Sequence, residues 1–145
     1  MKKLKQKGQA IIEFAVVLPL FVLFLFGIIY SGMLFYDYIS LSNLARSAAR
    51  EAAIVQDLSS SKIVTMEDYY SKRASNLLTS LYTPVPDTGE TYPFKIELKT
   101  TEGDDPSVEV TIRMERNVSS GLLEIILPED YTIIYFMRRD IQPSG

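Results

Sequence analysis

Three hydrophobic patterns follow one another along the chain. Residues 14–36 carry no charge, and between Phe14 and Ile29 only Pro19 and Gly27 interrupt the apolar character. As a helix rising about 1.5 Å per residue this stretch is roughly 34 Å long, enough to cross a hydrocarbon layer of about 30 Å. A core helix of a water-soluble domain would show a polar stripe. A secretory signal peptide would have an apolar region of about 7 to 15 residues ending at a small-residue cleavage site, whereas Ser47, Ala48 and Ala49 lie well beyond this one. The pattern predicts a transmembrane helix.

The period then becomes three to four. Leu41, Leu44, Ala45, Ala48, Ala52 and Val55 continue one apolar, alanine-rich face out of the membrane for about four turns, suited to packing within its own domain. Arg46, Arg50 and Glu51 flank that face as solvated charges. A serine-rich joint is expected over residues 56–62. Thr65, Met66, Glu67 and Asp68 resemble a capping box and predict the start of a second helix, with Tyr70, Ala74, Leu77, Leu78 and Leu81 on its apolar face. Pro84, Pro86, Gly89 and Pro93 predict an extended loop through Tyr92.

After the loop the period is two. Phe94, Ile96 and Leu98 alternate with Lys95, Glu97 and Lys99, and Val108, Val110, Ile112 and Met114 alternate with Glu109, Thr111, Arg113 and Glu115. Two such runs around an acidic turn at residues 102–106 predict an antiparallel hairpin with one buried face. That turn matches no EF-hand loop, so it is an ordinary acidic turn. Residues 121–130 are ambiguous, and the formal glycosylation triplet Asn117, Val118, Ser119 carries no weight. Residues 131–137 are apolar on both faces and predict a central or covered strand. The expected fold is α+β: a long N-terminal transmembrane helix running into a domain with a second helix and about three or four antiparallel strands. On this pattern the membrane segment ends at residue 36 and residues 37–145 form the domain beyond it.

Composition removes whole classes of function. Among 145 residues there is no cysteine and no histidine, so thiolate and imidazole catalysis, disulfides and the usual zinc and haem ligands are absent. No Gly-rich phosphate loop and no catalytic constellation appears, so no enzyme, metal or cofactor is expected. A net charge of −3 argues against nucleic acid as a partner. Lys2, Lys3, Lys5 and Lys7 precede the apolar run and no basic residue follows until Arg46, which predicts a cytoplasmic N-terminus and an extracytoplasmic C-terminal domain. Glu13 stands among Ile11, Ile12 and Phe14, where a carboxylate needs a partner or a wet position. Pro19 removes the helix hydrogen bond to the Ala15 carbonyl and predicts a kink or a locally unwound turn.

The lysine-rich leader, the run Gly8, Gln9, Ala10, Ile11, Ile12, Glu13, Phe14 and the following Pro19 together resemble the N-terminus of a type IV pilin-like protein. More narrowly they resemble the TadE family, the pseudopilins of tight-adherence (Flp-type) pilus systems. The alanine- and arginine-rich residues 41–53 and the closing residues 133–140 are similar to that family as well. The resemblance implies cleavage between Gly8 and Gln9 by a prepilin peptidase, so that residues 1–8 are a leader and Glu13 becomes the fifth residue of the mature chain, followed by the aromatic Phe14. It implies a minor pilin or pseudopilin of the bacterial inner membrane. Its implied partners are the peptidase, other Tad pilins or pseudopilins, an assembly platform and the lipid bilayer. The alternative from a different class is an uncleaved single-pass scaffold or binding protein.

Overall fold

A computed structural model describes residues 2–55, 58–99, 106–117, 121, 124 and 127–139, with side chains from Gln9 and from Ile11 onward. The element order is α1 (Lys2–Ile54), α2 (Ser60–Leu77), β1 (Tyr82–Val85), β2 (Phe94–Lys99), β3 (Ser107–Arg116) and β4 (Asp130–Arg138). The architecture is α+β, with four antiparallel strands in one sheet. The chain divides into two compact units, Met1–Phe35 and Tyr36–Gly145.

In the first unit α1 is apolar on every side, and residues 11–29 are exposed all round. It stays helical through Pro19, so the locally unwound turn expected as one outcome is not formed. Among the described residues α1 is the one helix long and apolar enough to cross a membrane.

In the second unit the sheet is organised around β3. Its even residues Val108, Val110, Ile112 and Met114 are fully buried, as a period of two demands of a strand with one covered face. β4 lies along one side of β3, with Tyr131, Ile133, Tyr135 and Met137 opposite those four residues. Along the other side β1 and β2 follow one another, Tyr82–Val85 opposite residues 113–116 and Phe94–Lys99 opposite residues 107–112. They form one interrupted strand from which residues 86–93 loop out. Within that loop the Glu90 N–H donates to the Asp87 carbonyl at 2.9 Å and Gly89 takes φ 90°, a value that favours glycine.

The helices cover the inner face. Leu41, Leu44, Ala45, Ala48, Ala49 and Ala52 of α1 are buried, as are Met66, Tyr70 and Ala74 of α2, and Tyr70 stacks on Phe94 with ring centres 5.8 Å apart. β4 runs alongside α1 in the same direction. Tyr131 lies in the field of Asp37, the Arg46 guanidinium sits 5.6 Å from the Tyr135 ring centre, and Arg139 Nη2 donates to the Val55 carbonyl. Eighteen helical residues at about 1.5 Å and eight strand residues at about 3.3 Å both span roughly 27 Å, so the two elements are matched in length.

Four expectations need correction. α2 starts at Ser60, with Ser59 as N-cap in extended conformation, so Thr65, Met66, Glu67 and Asp68 lie inside the helix. Thr65 Oγ1 donates back to the Ser61 carbonyl at 2.9 Å, the in-helix use of a hydroxyl that competes with capping. At its other end α2 stops at Leu77, and Leu81 is buried beyond it. Pro84 is not loop but strand: it sits in β1 opposite Met114, tolerated because β1 is an edge. β4 is an edge and not a central strand, since among the described residues it pairs with β3 alone. The acidic turn at residues 102–105, Val118 and Ser119, and much of residues 121–130 lie outside the described residues.

Candidate functional site

Gly8 and Gln9 are part of α1, and one turn on, Gln9 Nε2 donates to Glu13 Oε1 at 3.3 Å. This is the i to i+4 spacing at which helix side chains meet. Ile11, Ile12 and Phe14, beside Glu13 on its own helix, are exposed themselves. The arrangement is a single acid at one end of a long apolar rod, reached by the polar side chain of Gln9. Pro19 lies further along the same rod, where the bond to the Ala15 carbonyl is missing.

A second constellation stands where α1 enters the folded unit. Asp37 is fully buried, at 0% exposure. Its two carboxylate oxygens accept hydrogen bonds from the Thr79 backbone N–H at 2.8 Å and from Thr79 Oγ1 at 2.6 Å. Thr79 follows the end of α2, so one carboxylate ties α1 to the turn that leads into β1. The hydroxyl of Tyr131 is buried nearby and finds no partner among the described residues. Burial first, and then the charge of Asp37, pushes its pKa up to about 12, which keeps it protonated. Tyr82 packs edge-on against Tyr131 at 4.8 Å between ring centres and donates to the Pro128 carbonyl at 2.9 Å.

The expected site residues Gly8, Gln9, Glu13, Phe14 and Pro19 all fall on the first 18 residues of α1, and the structure brings Gln9 and Glu13 into contact. Sequence reasoning missed Asp37. The signal was present, because Asp37 precedes Leu41, Ala45, Ala48 and Ala52 at helical spacing and so belongs to the buried stripe. It also treated Arg46 and Glu51 as solvated charges. In the fold Arg46 lies over Tyr135, and Glu51 Oε2 accepts from the Tyr70 hydroxyl at 2.6 Å.

Comparison with family models gives a match in the N-terminal part of the chain. Residues 8–50 match the TadE-like protein family. The TadE-like segment begins at Gly8, includes Glu13, Phe14 and Pro19, and ends within the buried face of α1. The match stops short of residues 133–140. Comparisons with curated proteins and with solved structures gave no match.

Proposed function

We propose that this chain is a minor pilin or pseudopilin of a Tad (Flp-type) pilus, cleaved between Gly8 and Gln9 by a prepilin peptidase. The observation that carries the proposal is the register of the TadE-like segment on α1: Gly8, Gln9, Glu13 and Phe14 in order at the start of an exposed apolar helix. Lys2, Lys3, Lys5 and Lys7 hold the leader at the cytoplasmic face of the inner membrane, residues 9–36 cross it, and residues 37–145 form the extracytoplasmic domain. Glycine at the scissile bond lets a close-fitting active site approach the backbone.

Cleavage replaces the lysine tail by one α-amino group on Gln9, one helical turn from Glu13. In a low-dielectric setting that ammonium and the Glu13 carboxylate offset each other's burial, within one chain or between neighbouring subunits, and so set the axial register of packed helices. Bending at Pro19 adjusts how the helix packs against its neighbours. The partners are the peptidase, other Tad pilins or pseudopilins, the assembly platform and the bilayer. A folded domain of roughly a hundred residues after the span suits a minor subunit better than a major Flp-type pilin, which is little more than the helix.

The test is genetic. Deleting the gene should abolish or alter pili and adherence, and restoring it should recover them. Restoration with Glu13→Val should leave the protein in the membrane and fail to recover pili. Full recovery of pili by Glu13→Val would contradict the role given to that carboxylate.

A further inference from the structure

The two helices of the folded unit keep to opposite sides of the sheet. α2 turns one face to β2: Ser71 Oγ accepts from the Phe94 N–H at 3.3 Å and Glu67 Oε1 from the Ile96 N–H at 2.9 Å, which covers that edge of the sheet. The continuation of α1 keeps to β4, with Arg46 over the Tyr135 ring and the Val55 carbonyl held by Arg139. Between the helices a groove of about 450 Å³ is left. Clefts of roughly 300–1,000 Å³ are of the size that takes small molecules.

Its two walls differ in chemistry. Along α1, Ser40, Asn43 and Ser47 line it, a ladder of hydroxyl and amide groups about 10 Å long at a rise of about 1.5 Å per residue. Ser47 Oγ donates to the Asn43 carbonyl at 2.9 Å, while the Ser40 hydroxyl and the Asn43 amide have no partner among the described residues. Along α2 it is lined by Tyr69 and Arg73. The Tyr69 ring is 53% exposed, yet it is braced: Tyr70 packs edge-on against it with ring centres 5.2 Å apart, and Arg73 Nη1 donates to its hydroxyl at 3.2 Å. That bond occupies one N–H of Arg73, and among the described residues no carboxylate pairs with the guanidinium. Glu51, one turn beyond Ser47, is taken by the Tyr70 hydroxyl, and among the described residues no acid lines the groove.

We infer that this groove binds an acidic saccharide, a short chain of sugar rings bearing single carboxylates. An unpaired guanidinium offers a planar fork that matches a carboxylate in a bidentate pair. One cation suits one negative charge, whereas a phosphate monoester brings about −1.5 to −2. A purely aliphatic or aromatic acid would lay apolar surface on Ser40 and Asn43 and strip them of water without return. Sugar hydroxyls both donate and accept, so they satisfy the serine hydroxyls and the amide in turn. The exposed face of Tyr69 takes the apolar C–H face of a ring. Tyr69 and Arg73 hold each other in place before the ligand arrives, which limits the freedom lost on binding. The inference rests on the folded unit alone and is independent of processing and of the pilus.

The probe is a trimer of galacturonic acid, titrated into the full-length chain in detergent micelles and followed by saturation-transfer NMR and calorimetry. Saturable binding with a Kd of about 1 mM or below is expected. Arg73→Gln should weaken it at least about fivefold, and so should methyl esterification of the probe, which leaves the protein untouched. Tyr69→Ala should cost about threefold or more. Arg46→Gln, which removes a cation from the other flank of α1, should stay within about twofold of wild type. No saturable binding by about 10 mM, equal binding of the methyl ester, an equal loss in Arg46→Gln, or binding of acetate or of the blocked peptide Ala-Glu-Ala as tight as that of the trimer would each overturn the inference.

Discussion

Asp37→Ala is the most revealing perturbation of the folded unit. It leaves the Thr79 N–H and hydroxyl without the carboxylate that accepts from both, at 2.8 and 2.6 Å. Hydrogen bonds to a charged group contribute about 1.5–3 kcal/mol each, which sets an upper limit of about 3–6 kcal/mol. Removing a fully buried charge returns part of that through its desolvation, so a net loss of about 2–4 kcal/mol is expected. In a domain of about a hundred residues this lowers the melting temperature by roughly 10–20 °C. Asp37→Asn keeps an acceptor for one of the two bonds and should fall between wild type and Asp37→Ala. Near-ultraviolet circular dichroism of the full chain in detergent follows the tyrosine environment of the domain through the transition. The Tyr131 phenol supplies a second readout: without the Asp37 charge its pKa drops from about 12 while burial still holds it above the ordinary value. A melting temperature for Asp37→Ala within about 2 °C of wild type would refute the claim that this carboxylate ties α1 to the end of α2.

Glu67→Ala combined with Ser71→Ala should uncover the β2 edge, costing about 1–3 kcal/mol and promoting association that light scattering detects. Stability should also fall at high pH. Burial raises the phenol pKa of Tyr70, Tyr82 and Tyr131 above the ordinary value of 10.0, in Tyr131 to about 12. Their contribution is complete below pH 10.0, where both folded and unfolded phenols are protonated, and is lost as the pH climbs toward about 12. Phenolate absorbance and circular dichroism recorded together should therefore show these tyrosines titrating with unfolding. Glu13→Val should leave carbonate-resistant membrane insertion intact while pili are lost, as scored by electron microscopy.

Periodicity carried most of the fold. The change from an uninterrupted apolar run to a three-to-four spacing and then to strict alternation located α1, its buried continuation and the β2–β3 pair, because each pattern answers to a different backbone geometry. What failed to show were features set by tertiary contacts. Thr65 and Asp68 have the spacing of a capping box, yet Ser59 is the N-cap and Glu67, between them, is used to cover β2. The apolar residues of β4 on both faces suggested a covered strand, but two of them, Ile134 and Phe136, face outward from an edge. Asp37, the first charged residue after the apolar run, is part of the core. Gly8, Gln9, Glu13 and Phe14, the residues proposed for processing and register, lie by contrast within one short segment, so their spacing is legible without any tertiary information.

The mass of the protein's N-terminal peptide, measured on material from cells that contain the prepilin peptidase, tests the central claim most directly. The account requires a chain that begins at Gln9, and a Gly8→Val variant that keeps residues 1–8 while remaining membrane-inserted with its outer domain folded. An intact leader on the wild-type protein in such cells, or cleavage of Gly8→Val at the same bond and the normal rate, would contradict it and favour an uncleaved membrane scaffold.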